Sequence, residues 1–228
     1  WLPDQGWYAI RLDGDKRRLD ALTSNMGHCL WCGIVDDDKA PVVAHHLLDP
    51  RMWTGFSIRT LASTMGAYNP MSYHNGSVWP HDTAIAAAEL MRYGYVAEAQ
   101  RVALGLFDAA DRFDARLPEL FCGFDRAEFP SPVPFPTSCS PQAWAAAAPV
   151  LLMRTLLRFE PDIPAGRICF DPAVPERMLP LRIENLLLAG RRLTLDVGVD
   201  AWHIEGLPEG VTQCSNAAIT EGTHDSAR

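Results

Sequence analysis

Apolar residues recur three or four positions apart along most of the first 160 residues, which is the spacing of one helix face. Between Leu19 and Ile34, for example, they fall at Leu22, Met26 and Leu30. The same spacing, with turn signals at its ends, predicts further helices over 39–48, 83–93, 96–113 and 141–159. The body of the chain is therefore predicted to be mainly α-helical.

Short alternation of apolar and polar residues predicts strands near both ends of the chain. Residues 7–14 alternate up to an Asp-Gly turn signal, and residues 56–61 are also strand-like. Beyond residue 165, alternating segments separated by glycines predict a small β-rich appendix, and the polar, turn-rich end predicts a disordered tail. The predicted domains are a helical body over 1–164, the appendix over 165–209 and the tail over 210–228.

Polar and aromatic residues are concentrated in the loops between the predicted helices. Residues 66–80 are rich in Gly, Asn, Pro and Ser, and residues 129–141 hold five of the 18 prolines. Such stiff, irregular segments suit the wall of a pocket better than a core element. We therefore expect helical hairpins whose loops converge at one end.

Composition and charge narrow the class of partner. The chain has 228 residues, 48% of them hydrophobic, and a net charge of -8, which argues against nucleic acid or an anionic membrane as a partner. It contains no run of about 18 apolar residues, so no transmembrane helix is expected. Because it begins at Trp1, without a Met or a signal region, we expect a longer polypeptide whose upstream remainder completes the protein.

The six cysteines and the histidines predict neither a metal site nor a cofactor. A chain of this size does not need disulfides, so we expect reduced, buried thiols in a cytoplasmic protein. Cys29 and Cys32 form a lone Cys-x-x-Cys pair, with no second pair at zinc spacing. His74 and His81 are seven positions apart but lack a third ligand at suitable spacing.

Two segments carry the candidate chemistry. Residues 73–82 combine hydroxyl, imidazole, indole and carboxylate groups around a glycine, and residues 118–123 set Glu119 among apolar neighbours. Rings that can face a flat polar ligand, together with a carboxylate in an apolar setting, indicate a pocket that hydrolyses sugars. Asp82 stands before a predicted helix, which favours an N-cap over a catalytic role.

Three blocks carry a family resemblance: YHNGSVWP at 73–80, PELFCG at 118–123 and CSPQAWA at 139–145. In order and spacing they resemble the glucosidase domain of glycogen debranching enzymes, which belong to the six-hairpin glycosidase group. The resemblance covers roughly residues 5–160. It implies that the chain forms the C-terminal half of an (α/α)6 toroid, followed by the small β-rich appendix, and that the substrate is an α-glucan or oligosaccharide.

The resemblance also implies an inverting hydrolysis of α-1,6-linked glucose. Glu119 would be the general base, and an Asp in upstream sequence would be the general acid, so the chain alone would be inactive. Two alternatives stay open: a carbohydrate-binding or scaffolding module that has lost catalysis, and a sugar epimerase on the same toroid, which would use a pair of catalytic histidines.

The remaining candidates would bind the sugar. Tyr73 and Trp79 would stack on the pyranose ring, and His74 would hydrogen-bond to it. Three further candidates each have a second possible role. Arg59 could bind sugar hydroxyls or pair with a carboxylate, and Gln142 and Trp144 could reach the pocket or only pack against the body.

Overall fold

The computed structural model describes residues 1–214, which divide into one unit over 1–152 and a second from Met153 onward. The first unit contains β1 (Arg11–Leu12), β2 (Arg18–Leu19), α1 (Asn25–Trp31), α2 (Ala40–Leu48), α3 (Pro80–Arg92) and α4 (Val96–Arg112). The point of division falls within α5 (Ala143–Leu157). The second unit contains β3 (Glu160–Asp162), β4 (Arg167–Cys169), a short 3-10 helix (Glu176–Met178), β5 (Leu181–Leu188), β6 (Arg191–Val197), β7 (Trp202–Glu205) and β8 (Thr212–Cys214).

Four of the five predicted helices are confirmed as α2 to α5, with ends shifted by at most three residues. The predicted helix over 19–34 is wrong in length, because α1 covers only Asn25–Trp31. Its first residue, Leu19, lies instead in β2, which pairs with β1 in a hairpin, and Thr23 bridges Leu61. At the start of this segment, long-range pairing of the backbone therefore determines the structure, although the apolar residues have helical spacing.

The helices of the first unit pack closely where α1 meets α3. Gly27 of α1 lies against Ala86 of α3, and a Cβ built on Gly27 would be 2.6 Å from the Ala86 Cβ. Real Cβ atoms do not approach so closely, so the glycine sets the distance between the two helices.

Replacing Gly27 with alanine should therefore destabilise the protein by about 1–3 kcal/mol through overpacking. On an open helix face the same change would stabilise by about 1 kcal/mol, because glycine has low helix propensity. Urea unfolding shows directly whether the free energy of unfolding of the variant is lower or higher than that of the wild type. Gly66→Ala is the matched control, since no atom lies within 4 Å of a Cβ at Gly66. A Gly27→Ala protein as stable as the wild type would contradict the close packing.

Isolated backbone bridges, not a continuous sheet, join the loops of the first unit. Arg59 bridges Val78, Val78 bridges Phe121, and Phe121 bridges Pro134. The predicted strand over 56–61 is therefore present only as single bridges. These contacts bring four loop segments side by side at the start of α3.

The second unit contains two three-stranded sheets, ordered β3-β4-β8 and β5-β6-β7. Their shared core includes Phe159, Ile168, Phe170 and Leu195. The predicted β-rich character of this region is confirmed by these strands. Within residues 1–214 the fold is therefore a mixed one, with five α-helices and small sheets.

Two predictions for the end of the chain need correction. Cys169 and Cys214 form a disulfide, so the expectation of reduced thiols is wrong for this pair. The parallel pairing of β4 with β8 places these cysteines opposite each other although 45 residues separate them. The predicted tail over 210–228 begins with ordered residues, since residues 212–214 form β8, and residues 215–228 lie outside the described part.

Candidate active site

Reciprocal hydrogen bonds join the two segments that carried the candidate chemistry. The Val78 N–H donates to the Phe121 carbonyl at 2.9 Å, and the Phe121 N–H donates to the Val78 carbonyl at 3.0 Å. The Glu119 N–H donates to the Cys139 carbonyl at 3.0 Å, which brings in the loop before α5. All three blocks of the family resemblance therefore meet at one place in the first unit.

Glu119 lies at the centre of this meeting point and is only 9% exposed. Its carboxylate Oε2 accepts a long hydrogen bond of 3.4 Å from the Cys139 N–H. Burial and a hydrogen bond donated to Glu119 raise the pKa of the Tyr73 phenol. A carboxylate has about four acceptor positions, so these two partners hold Glu119 and still leave it able to accept a proton.

Six rings lie around this meeting point and form what we call the aromatic cluster: Tyr73, His74, Trp79, His81, Phe135 and Trp144. Neighbouring ring centroids within it lie 4.1–6.1 Å apart. Trp79 is nearly buried, and its indole N–H donates to the Ser77 hydroxyl at 3.0 Å. The exposed rings are those of Tyr73 and Trp144, at 36% and 45%, together with His74. Trp79 therefore lies behind the cluster, while Tyr73, His74 and Trp144 present surface to a ligand.

His81 links the aromatic cluster to the charged groups. Its ring stacks on Trp144 with centroids 4.1 Å apart and planes 12° from parallel. Burial lowers the pKa of His81, although the charges of Asp82 and Glu119 act in the opposite direction. The imidazole is therefore neutral at pH 7, and its Nδ1 is buried without a hydrogen-bond partner.

Asp82 does not cap α3, so that prediction is wrong. The helix begins at Pro80, and no side chain bonds its first N–H groups. Asp82 lies within the first turn and binds His28 of α1 instead, with Nε2 and Oδ1 2.7 Å apart. This hydrogen bond raises the pKa of His28, and the second oxygen of Asp82, Oδ2, is buried without a partner.

Arg59 lies behind the site and does not reach its surface. It is 1% exposed, its Nε donates to the Gly123 carbonyl at 2.8 Å, and its Nη2 pairs with Asp125 at 2.8 Å. Its Nη1 donates to the carbonyls of Pro50 and Trp53. Of the two alternatives for Arg59, the structure shows pairing with a carboxylate and leaves no donor for a sugar.

The two candidates at the start of α5 have different positions. The Gln142 side-chain oxygen accepts the Ala145 N–H at 3.1 Å, so this residue caps the helix. Trp144 is exposed and stacked, so it does not pack into the body.

His28, His81 and Phe135 were not predicted as site residues. His81 and Phe135 each had a sequence signal, namely their positions in the block at 73–82 and in the proline-rich loop at 129–141, whereas His28 comes from a distant segment.

Residues 1–214 hold no group of three or more His, Cys, Asp or Glu side chains placed to bind a metal ion. In the same range no helix has the length and apolar character to cross a membrane.

The chain shares its fold with solved structures of Thermus thermophilus proteins. A GH63 mannosylglycerate hydrolase in complex with glucose matches 67% of this chain and 34% of its own, at 18% identity and a TM-score of 0.54. An uncharacterized conserved protein of the same organism matches 68% and 36%, at 18% identity and a TM-score of 0.55. The chain thus spans about a third of the length of these proteins. No protein of curated function matches it.

A family model also matches the chain directly. The model of the mannosylglycerate hydrolase MGH1-like glycoside hydrolase domain matches residues 1–125. That range is more than half of the chain and includes the blocks at 73–80 and 118–123. The protein therefore belongs to the mannosylglycerate hydrolase MGH1-like glycoside hydrolase domain family.

Proposed function

We propose that this domain supplies the general-base half of an inverting glycosidase site that hydrolyses α-linked glucose, with Glu119 as the base. The family implies a carbohydrate substrate. The observation that carries the proposal is the setting of Glu119, a buried carboxylate that accepts a hydrogen bond from Tyr73, one of the exposed rings of the aromatic cluster. Buried carboxylates that still have spare acceptor positions are typical of acid–base sites.

The chemistry follows from what Glu119 can and cannot do. An inverting enzyme uses one carboxylate to take a proton from water and a second carboxylic acid to protonate the leaving oxygen, about 6.5–9.5 Å away. Glu119 would deprotonate the water, while Tyr73 and the Cys139 N–H keep its carboxylate oriented. An Asp from another part of the polypeptide would supply the second carboxyl group.

The sugar would lie against the exposed rings of the aromatic cluster. Apolar faces of pyranoses pack on aromatic rings while their hydroxyls hydrogen-bond at the rim. Tyr73 and Trp144 offer such faces, and the exposed His74 offers a hydrogen-bonding edge. One related structure holds glucose, which supports glucose as the sugar. The α-1,6 linkage rests on the resemblance to debranching enzymes alone.

The stereochemistry of the product tests this proposal. The full-length protein should hydrolyse an α-glucoside such as isomaltose, and proton NMR should show β-glucose as the first-formed anomer. First-formed α-glucose would indicate a retaining mechanism and would overturn the role of Glu119 as base. Sugar binding by calorimetry without hydrolysis would favour the non-catalytic module instead.

The predicted cytoplasmic location stays a prediction. The Cys169–Cys214 bond is of a kind more common in oxidising compartments, and it weighs against that location.

A further inference from the structure

The closest stack in the aromatic cluster joins His81 to Trp144, and the proposed hydrolysis gives His81 no part. The two ring centroids lie 4.1 Å apart with the planes 12° from parallel, so the imidazole covers one face of the indole. Trp79 meets the same indole edge-on, with centroids 6.1 Å apart and planes at 69°. Trp144 is nevertheless 45% exposed, so the open part of its ring includes the face turned away from His81.

Trp144 receives no support from side chains on its own helix. It is the second residue of α5, and the residues one turn further on, Ala147 and Ala148, have only methyl side chains. Side chains three and four positions apart are the ones that meet on the surface of a helix. The orientation of the indole therefore depends on the two rings at the start of α3, those of Trp79 and His81.

His81 is placed to give this support. It follows Pro80, the first residue of α3, whose ring restricts the backbone at that point. Trp79 packs edge-on against the imidazole, with centroids 5.8 Å apart and planes at 80°. The Nδ1 atom of His81 is buried without a hydrogen-bond partner among the described residues. The fold therefore uses the flat face of the imidazole and not this nitrogen.

The stack belongs to the same group of rings as the candidate base. Burial lowers the pKa of His81, and the charge of Glu119 is one of those that partly oppose this effect. Tyr73, which donates a hydrogen bond to Glu119, meets Trp79 edge-on, as Trp144 does. One continuous set of ring contacts therefore connects the residue bonded to the base with the stacked indole.

We propose that His81 is a positioning residue that holds the open face of Trp144 in place for the sugar, and that it acts on substrate binding only through this indole. The inference rests on the proposed function, in which Trp144 is one of the rings that pack on the sugar. Ordering a side chain on binding costs enough to weaken affinity by about three- to tenfold. An indole that His81 already holds in place avoids this cost.

Fluorine NMR tests the positioning without relying on activity. The full-length protein is labelled with 5-fluorotryptophan, and the Trp144 signal is identified by its absence from Trp144→Phe. In His81→Ala this signal should shift and become narrower, because the indole loses its stacked partner and becomes mobile. His81→Phe restores a flat ring and should return the signal to its wild-type linewidth. An unchanged Trp144 signal in His81→Ala would overturn the inference.

Steady-state kinetics with isomaltose test the effect on the sugar. His81→Ala should raise KM about three- to tenfold and leave kcat within about twofold of the wild type. His81→Phe should keep both values within about twofold, because an apolar ring of similar shape replaces one whose Nδ1 makes no hydrogen bond. In a Trp144→Ala background, His81→Ala should change KM by less than about twofold, since the indole through which it acts is gone.

An exposed histidine of the second unit provides the matched control. His203 lies in β7, and His203→Ala should alter neither the kinetics nor the Trp144 signal. A fall in kcat that His81→Phe does not restore would show that the imidazole takes part in the chemistry, and would overturn the inference. So would an increase in KM of equal size with and without Trp144.

Failure of the proposed function looks different from failure of this inference. In that case the wild type does not hydrolyse isomaltose, while the fluorine signals still show whether His81 holds Trp144.

Discussion

Replacing Glu119 with glutamine is expected to lower the rate of glycoside hydrolysis by about 10²- to 10⁴-fold, the usual contribution of a general base. Glutamine keeps the size of the side chain and can still accept hydrogen bonds from Tyr73 and the Cys139 N–H. It cannot take a proton from water, however. The loss should therefore fall on kcat and not on KM, since the surfaces that bind the sugar are unchanged.

Steady-state kinetics on the full-length protein measure this effect, and calorimetry shows whether sugar binding survives. Glu128→Gln is a matched control, because Glu128 is an exposed acid in the segment after Glu119. Its activity should stay near that of the wild type. A Glu119→Gln protein that retains more than about a tenth of wild-type kcat would contradict the assignment of the base.

The sequence predicted the location of the site but not the roles of its side chains. The blocks at 73–80, 118–123 and 139–145 are recognisable together by their resemblance, in order and spacing, to those of a known glycosidase family. That they meet around Glu119 depends on hydrogen bonds such as those between Val78 and Phe121, 43 residues apart. No local pattern encodes such a pairing.

Asp82 shows where local rules gave the wrong answer. An acidic residue before a helical pattern is a good N-cap by the usual preference. The helix starts at Pro80, three residues before the predicted start, which moves Asp82 into the first turn, and its carboxylate pairs with His28 on a different helix. The partner is 54 residues away, so the choice between capping and pairing is decided by tertiary packing.

The disulfide was missed for a related reason. Six cysteines allow 15 possible sets of three bonds, and length alone argued against any of them. Cys169 and Cys214 become neighbours only when β8 pairs with β4. The prediction of a tail beyond residue 210 removed that strand from consideration.

The sequence and the structure assign different roles to Arg59, and the two roles predict different effects of a mutation. A sugar-binding Arg59 would raise KM when altered and leave stability unchanged. The observed Arg59 is buried and joins the segment at 50–53 to Gly123 and Asp125. Its planar guanidinium donates in several fixed directions at once, which the single ammonium of lysine cannot do.

Arg59→Lys should therefore lower the free energy of unfolding by about 1–3 kcal/mol, the cost of leaving hydrogen-bonded groups around the buried Arg59 without their donor. Carbonyl groups at Pro50, Trp53 and Gly123 would lose their donors, and a buried ammonium would remain incompletely paired. Urea unfolding measures the change, and Arg116→Lys, at an exposed arginine, should stay within about 0.5 kcal/mol of the wild type. If the free energy of unfolding fell by less than about 1 kcal/mol and KM rose, the result would contradict the structural role of Arg59 and indicate that it binds the sugar.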